Sequence, residues 1–228
     1  MRSIPAERLH LWLMLALTFT TGINDAVGYL GLDKVFTGNM TGNVVVLGMA
    51  LVGGSGLPVL GPALALVAFM VGAATGGRVL RDGTRTWHGR TTVLLGAVAA
   101  VMLGLGVLLL VVGEDPARGV EILTTTLAAL AMGVQAATAR VIAVKDVTTV
   151  VVTSTLTGLA ADSIVGSGKG GGTVRRAVAV AAILAGAAVG ALLLKWHLGA
   201  GLILAGVLIA AAAAVGDRHD RLTTTTAD

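Results

Sequence analysis

The chain has 228 residues, of which 55% are hydrophobic, 12% charged and 3% aromatic, with a mean hydropathy of +0.91. No water-soluble domain needs so much apolar surface, and apolar runs near the ~20 residues that cross a bilayer recur along the whole length. A net charge of +4 with pI ≈ 10.1 would suggest nucleic acid in a soluble protein, but here the basic residues cluster in short loops, which marks membrane topology.

Arg2 and Arg8 ahead of Leu9-His10-Leu11-Trp12-Leu13 resemble the start of a signal peptide. No Ala-x-Ala site follows and the apolar run continues, so a retained first span is expected over about 10–32. Thr18, Thr21, Asp25 and Tyr29 lie at helical spacing on one face of it. A broken segment follows, about 33–54, containing Thr37-Gly38-Asn39-Met40-Thr41-Gly42-Asn43. A Gly-Ser turn leads through Pro58 to a second full span ending near Val79. The next loop holds Arg78, Arg81, Arg85 and Arg90 against Asp82. The third span is expected over 91–112, then the acidic turn Gly113-Glu114-Asp115-Pro116, then a fourth span over 120–144 with Gln135 and Arg140. After Asp146-Val147-Thr148-Thr149 comes a second Thr-rich broken segment, Thr153-Ser154-Thr155-Leu156-Thr157-Gly158. A Gly-rich linker with Lys169 and then Arg175-Arg176 precedes two last spans, 177–194 and 198–215. The linker lacks the spacing and the preceding strand of a phosphate-binding loop. The polar tail 217–228 ends in a Thr run and is expected to be disordered.

Two halves are visible. Gly22-Ile23-Asn24-Asp25-Ala26 matches Gly133-Val134-Gln135-Ala136-Ala137, and Asn39-Met40-Thr41-Gly42 matches Thr155-Leu156-Thr157-Gly158. Each half reads as span, broken segment, span, span. If both broken segments return to their side of entry, every basic loop and both termini lie on one side, with Glu114-Asp115 on the other. The basic-loop bias places the termini in the cytoplasm. Three spans per half makes the halves inverted copies, an architecture that puts binding sites at the midplane. The expected fold is therefore all-α: a polytopic helix bundle in one transmembrane domain, with repeat one about 7–113 and repeat two about 117–216. The alternative is about eight full spans.

At these motifs the chain resembles the YoaK family of bacterial membrane proteins, grouped as a domain of unknown function. The resemblance rests on Gly22 through Leu30, on Asn39-Met40-Thr41-Gly42-Asn43-Val44, and on Gly133-Val134-Gln135 through Thr155-Leu156-Thr157-Gly158-Leu159. It implies an integral inner-membrane protein of about six spans and brings no substrate.

The chemistry is read from polar residues at membrane depth, which are costly and face a bundle interior or a pore. Asp25 can carry a proton, bind a cation or serve as a structural partner, and Arg140 is its natural counter-ion; snorkelling is the competing role for Arg140. Asn39, Asn43 and Thr41, with Thr155 and Thr157, stand where the two half-helices begin. Helix starts carry free amides and partial positive charge, which suit an anion or polar solute; capping without a ligand is the plainer role. Thr21, Asn24 and Gln135 complete the expected wall, with interhelical hydrogen bonding the plainer role for the two amides. The two half-helix starts are expected to approach each other. Without cysteine, disulfides, Cys–zinc sites and thiol nucleophiles are excluded, and four scattered histidines make no metal site. No cofactor is expected. With so few aromatics, no nucleic-acid partner is expected either. The expected partners are the lipid bilayer and a small solute or ion, with a homo-oligomer left open. The expected function is passage of a small polar solute or anion, coupled to a proton on Asp25. The alternative is a membrane-embedded enzyme or a structural subunit.

Overall fold

Pro5, which has no amide to donate, precedes α1 (Ala6–Ala26) where none is needed. A π-helical turn, Val27–Gly31, extends this helix to a length of about 39 Å. In the computed structural model, which describes residues 5–53, 56–81, 87–142, 152–163, 165–168 and 172–225, seven further helices follow. They are α2 (Met40–Leu51), α3 (Leu60–Val79), α4 (Gly89–Val112), α5 (Arg118–Ile142), α6 (Val152–Ala161), α7 (Thr173–Leu194) and α8 (Ala200–Thr225). No strand occurs among the described residues. Arg2, Asp82, Arg85, Asp146-Val147-Thr148-Thr149 and Lys169 lie outside them.

Five helices, α3, α4, α5, α7 and α8, are long and apolar enough to cross a membrane. α1 is as long but carries Thr18, Thr20, Thr21, Asn24 and Asp25, all buried. It is the polar spine of the bundle. α2 and α6 have 12 and 10 residues, about 18 and 15 Å, too short to cross ~30 Å of hydrocarbon.

Glycines set which helices touch. A methyl on Gly22 of α1 would strike the Ile183 carbonyl and the Ala187 amide of α7; one on Gly186 would strike the Phe19 carbonyl. The α3–α5 pair repeats this arrangement. Gly133 abuts the Phe69 carbonyl and the Ala73 amide, and Gly72 abuts the Leu130 carbonyl. Between α4 and α8, Gly106 faces Ile203 and Gly206 faces Leu103. Small residues let backbones approach closely where lipid supplies no hydrophobic drive between helices.

The contacts also fix directions. Phe19 meets Gly186 and Ile23 meets Gly190, so α1 and α7 run the same way. Asn24 meets Met132 while Gln135 reaches back to Leu17 and Thr21, so α1 and α5 run opposite ways. At one end, His10 stacks on Trp87 with ring centroids 6.3 Å apart, and Trp87 packs on Gly216. At the other end, Gly31 meets Leu194 and Leu198, and His197 pairs with Glu114 at 3.2 Å. Segment 32–59 leaves α1 and enters α3 at this second end: Gly61 abuts Asp33, and the Lys34 Nζ donates to the Gly56 carbonyl at 3.4 Å. α5 ends and α7 begins at the first end. Neither short helix therefore crosses the bundle, and the arrangement of eight full spans does not describe this fold.

The tail departs from expectation. α8 continues through Thr225 rather than ending near residue 215. Arg221 pairs with Asp217 at 2.8 Å one turn below it, and the Thr223 hydroxyl donates to the His219 carbonyl at 3.1 Å. The Asp217–Arg221 pair at i, i+4 supports a helix that a run of threonines alone would not favour.

Candidate functional site

The site is built where the chain turns back on α1. Bonds in a π turn run one residue further than in an α-helix, which unsettles the local pairing of carbonyls. The Gly28 carbonyl accepts the Val35 amide at 3.2 Å, and a side chain at 28 would collide with the Val35 carbonyl. Tyr29 stacks on Phe36, centroids 4.6 Å apart and planes 18° apart. Segment 35–38 is thereby strapped along α1, descending from its end toward Asp25.

There the carboxylate takes over. Asp25 Oδ1 accepts the Gly38 amide at 2.7 Å, the Asn39 amide at 3.3 Å and the Thr37 hydroxyl at 3.5 Å. Gly38 lies so close to Thr21 that a methyl there would strike its side chain, crowd Met132 and touch Asp25. α2 starts at this point, so Asp25 is the anion at its positive end. Asn39 Oδ1 caps the helix by accepting the Gly42 amide at 3.4 Å. Asn43 ties the returning helix to the descending strap: its Oδ1 accepts the Phe36 amide at 2.9 Å, and its Nδ2 donates to the Phe36 carbonyl at 2.6 Å. One amide side chain thus stands in for a two-bond backbone bridge.

A second polar layer crosses from α1 to α5. Gln135 Nε2 donates to the Leu17 carbonyl and to Thr21 Oγ1, both at 3.4 Å. Asn24 Nδ2 faces the Met132 sulfur at 3.2 Å. A carbonyl and a thioether can only accept, so both nitrogens must point at them and both oxygens away. Asn24 Oδ1 and Gln135 Oε1 have no partner among the described residues, although both side chains are fully buried. An unpaired buried carbonyl costs about 1–3 kcal/mol. At the mouth of the segment, burial against Gly61 pushes the Asp33 carboxyl up from its ordinary range, and the charge of Arg118 opposes that shift.

Thr21, Asn24, Asp25, Asn39, Asn43 and Gln135 are brought into this one region. Three expected residues are not joined to it. Thr41 is exposed on the outer side of α2. Thr157 is exposed and donates to the Thr153 carbonyl of its own helix at 2.9 Å. Thr155 is buried in α6. Among the described residues no hydrogen bond links α2 to α6; α2 packs on α3 and α6 on α7. α6 is instead held at its far end, where Arg176 donates to the Gly158 carbonyl at 2.9 Å and pairs with Asp162 at 2.7 Å.

Arg140 is not the partner of Asp25. It is exposed in the last turn of α5, and backbone amides serve the carboxylate in its place. Phe36 and Met132 lie outside the stretches singled out in the sequence, and Thr37, which opens the Thr37–Asn43 stretch, is not among its expected site residues. The Thr37-Gly38 pair directly before a capping Asn is the signal that points to Phe36 and Thr37.

A buried carboxylate seated on a broken helix inside a bundle of apolar helices defines a polytopic α-helical membrane protein. A family model described as "Protein of unknown function (DUF1275)" matches residues 13–215, and the chain belongs to that family. It is similar to the UPF0700 transmembrane protein YoaK of Bacillus subtilis (strain 168), at 31% identity over 151 residues, 66% of this chain. The match spans 65% of that relative's length, just under two thirds. No solved structure matches.

Proposed function

We propose that the chain moves a small anionic or neutral polar solute across a bacterial inner membrane, with a proton travelling on Asp25. The observation that carries this is the Gly38 amide held by Asp25 at 2.7 Å at the start of α2. Helix starts of this kind bind anions, and here the protein supplies its own. A proton on Asp25 removes the charge that holds the Gly38 and Asn39 amides. The same amides then suit an incoming anion, and proton and anion together carry no net charge across the low-dielectric interior. Asn24 Oδ1 and Gln135 Oε1 offer acceptors to any solute hydroxyl or amine beside it.

The two halves act in this reading as inverted copies rocking about α4 and α8. Three features support it. The α1–α7 glycine contacts recur in α5–α3 residue for residue; α1 and α5 run oppositely; and each short helix packs on the next long one. The basic ends, with both termini, face the cytoplasm by the bias of basic loops.

Reconstituted protein tests the proposal. Liposomes should show solute uptake that a pH gradient drives, and Asp25→Asn should uncouple uptake from pH. A structural-subunit role is the second reading, favoured by the bonds from Thr37, Gly38 and Asn39 that already occupy Asp25 Oδ1. It requires fixed-ratio co-purification and no flux from the isolated chain.

A further inference from the structure

At the basic end of the bundle, α3 ends, α4 begins and α8 leaves. A cleft of about 420 Å³ opens there, lined by Val79, Arg90, Thr92, Val93, Asp217 and Arg221. Its floor is organised. Trp87 Nε1 donates to Thr92 Oγ1 at 3.0 Å, Thr92 donates to Asp217 Oδ1 at 3.4 Å, and Arg221 Nε donates to Asp217 Oδ2 at 2.8 Å. Arg90 Nη1 donates to the Val79 carbonyl at 3.2 Å, which fixes its guanidinium at the rim. The Arg221 side chain is 78% exposed.

Charge and shape differ between the two walls. Among the lining residues Arg90 and Arg221 stand against Asp217, an excess of positive charge. The side walls are apolar: Val93 is 71% exposed, and it lies one turn further toward the bundle's middle than Arg90. A basic rim above an outward-facing apolar wall, at the end of long apolar helices, matches a phospholipid lying against the protein. A free phosphate would use the rim and leave the wall bare. Asp217 sits between the arginines as an acceptor, which suits a headgroup that carries hydroxyls.

We propose that this cleft holds an anionic phospholipid with a hydroxylated headgroup. Its phosphate lies between Arg90 and Arg221, its headgroup hydroxyls donate to Asp217, and an acyl chain follows Val93. The lipid clamps the junction of α3, α4 and α8. This site is independent of the one around Asp25.

The full chain in neutral detergent, titrated with phosphatidylglycerol and separately with phosphatidylcholine, tests this by native mass spectrometry. Phosphatidylglycerol adducts should persist and phosphatidylcholine adducts should not. The pair Arg90→Gln and Arg221→Gln should weaken phosphatidylglycerol binding roughly tenfold or more. Arg90→Lys with Arg221→Lys should retain most of it. If the double glutamine variant fails to fold, Arg221→Gln alone should still weaken binding severalfold. Equal retention of both lipids, or unaltered phosphatidylglycerol binding in the glutamine variants, would overturn the proposal. So would inorganic phosphate alone binding with the same dependence on the two arginines.

Discussion

Asp25 Oδ1 and the Gly38 amide lie 2.7 Å apart, thirteen residues distant in sequence, and that bond joins the spine of the bundle to the start of a helix that turns back. The descending strap, the half-helix and the polar layer on α5 all meet within a turn of it. An anion at a helix start is ordinary electrostatics. What is specific here is that the anion belongs to a neighbouring helix, so the position of α2 depends on the charge of one carboxylate.

Replacing Asp25 by Leu should therefore destabilise the protein. It orphans the buried Gly38 amide, worth about 1–3 kcal/mol when unpaired, and leaves the Asn39 amide of the exposed cap residue without its acceptor. Asp25→Asn keeps an acceptor oxygen and should lose less. Thermal unfolding in detergent, followed by circular dichroism, gives the order: wild type, then Asn, then Leu. An equal midpoint for Leu and wild type would mean the bond holds nothing.

Asn43→Leu should loosen α2 while leaving the six long helices in place. It removes both bonds to Phe36 and keeps the side-chain volume close. Cysteines introduced at Val44 and Val45 should then label faster than in the parent, and the far-ultraviolet signal should change little. No change in labelling would show that the strap at Tyr29 and Gly28 suffices.

Paired glycines predict paired effects. Gly22→Ala and Gly133→Ala each force a methyl into facing backbone and should each cost about 1–3 kcal/mol. Gly96→Ala, with open space around its position, should cost nothing and gains helix propensity. A large loss at Gly22 with none at Gly133 would contradict the matched packing of the two halves.

Topology is testable because the native chain has no cysteine. Single cysteines at His88 and Gly168 should resist an impermeant reagent added to intact cells, and cysteines at Lys34 and Gly113 should react. Reaction at Gly168 from outside would reverse the assignment of the basic end.

Much of the fold is legible in the sequence because hydropathy is a sum over many residues. The six long helices, the break after Leu32 and the burial of Thr18, Thr21 and Asp25 on one face all follow from it. The partner of Asp25 is not legible, because backbone amides carry no residue type; a reader of side chains sees Arg140 and pairs the two visible charges. The π turn leaves no mark in composition. The tail shows the opposite difficulty: Asp217 and Arg221 at helical spacing signal a helix, but the Thr run beside them signals its absence. Matching Asn39–Gly42 with Thr155–Gly158 finds two corresponding stretches of chain, yet Thr157 bonds its own helix while Asn39 gives its amide to Asp25.

The most direct measurement is proton movement in vesicles that hold the purified chain and a trapped pH dye. Outward gradients of small carboxylates and inorganic anions are imposed in turn. The account predicts that at least one anion drives proton flux in the wild type, and that Asp25→Asn, folded by circular dichroism, abolishes the proton flux. Proton flux at the wild-type rate in Asp25→Asn would contradict it.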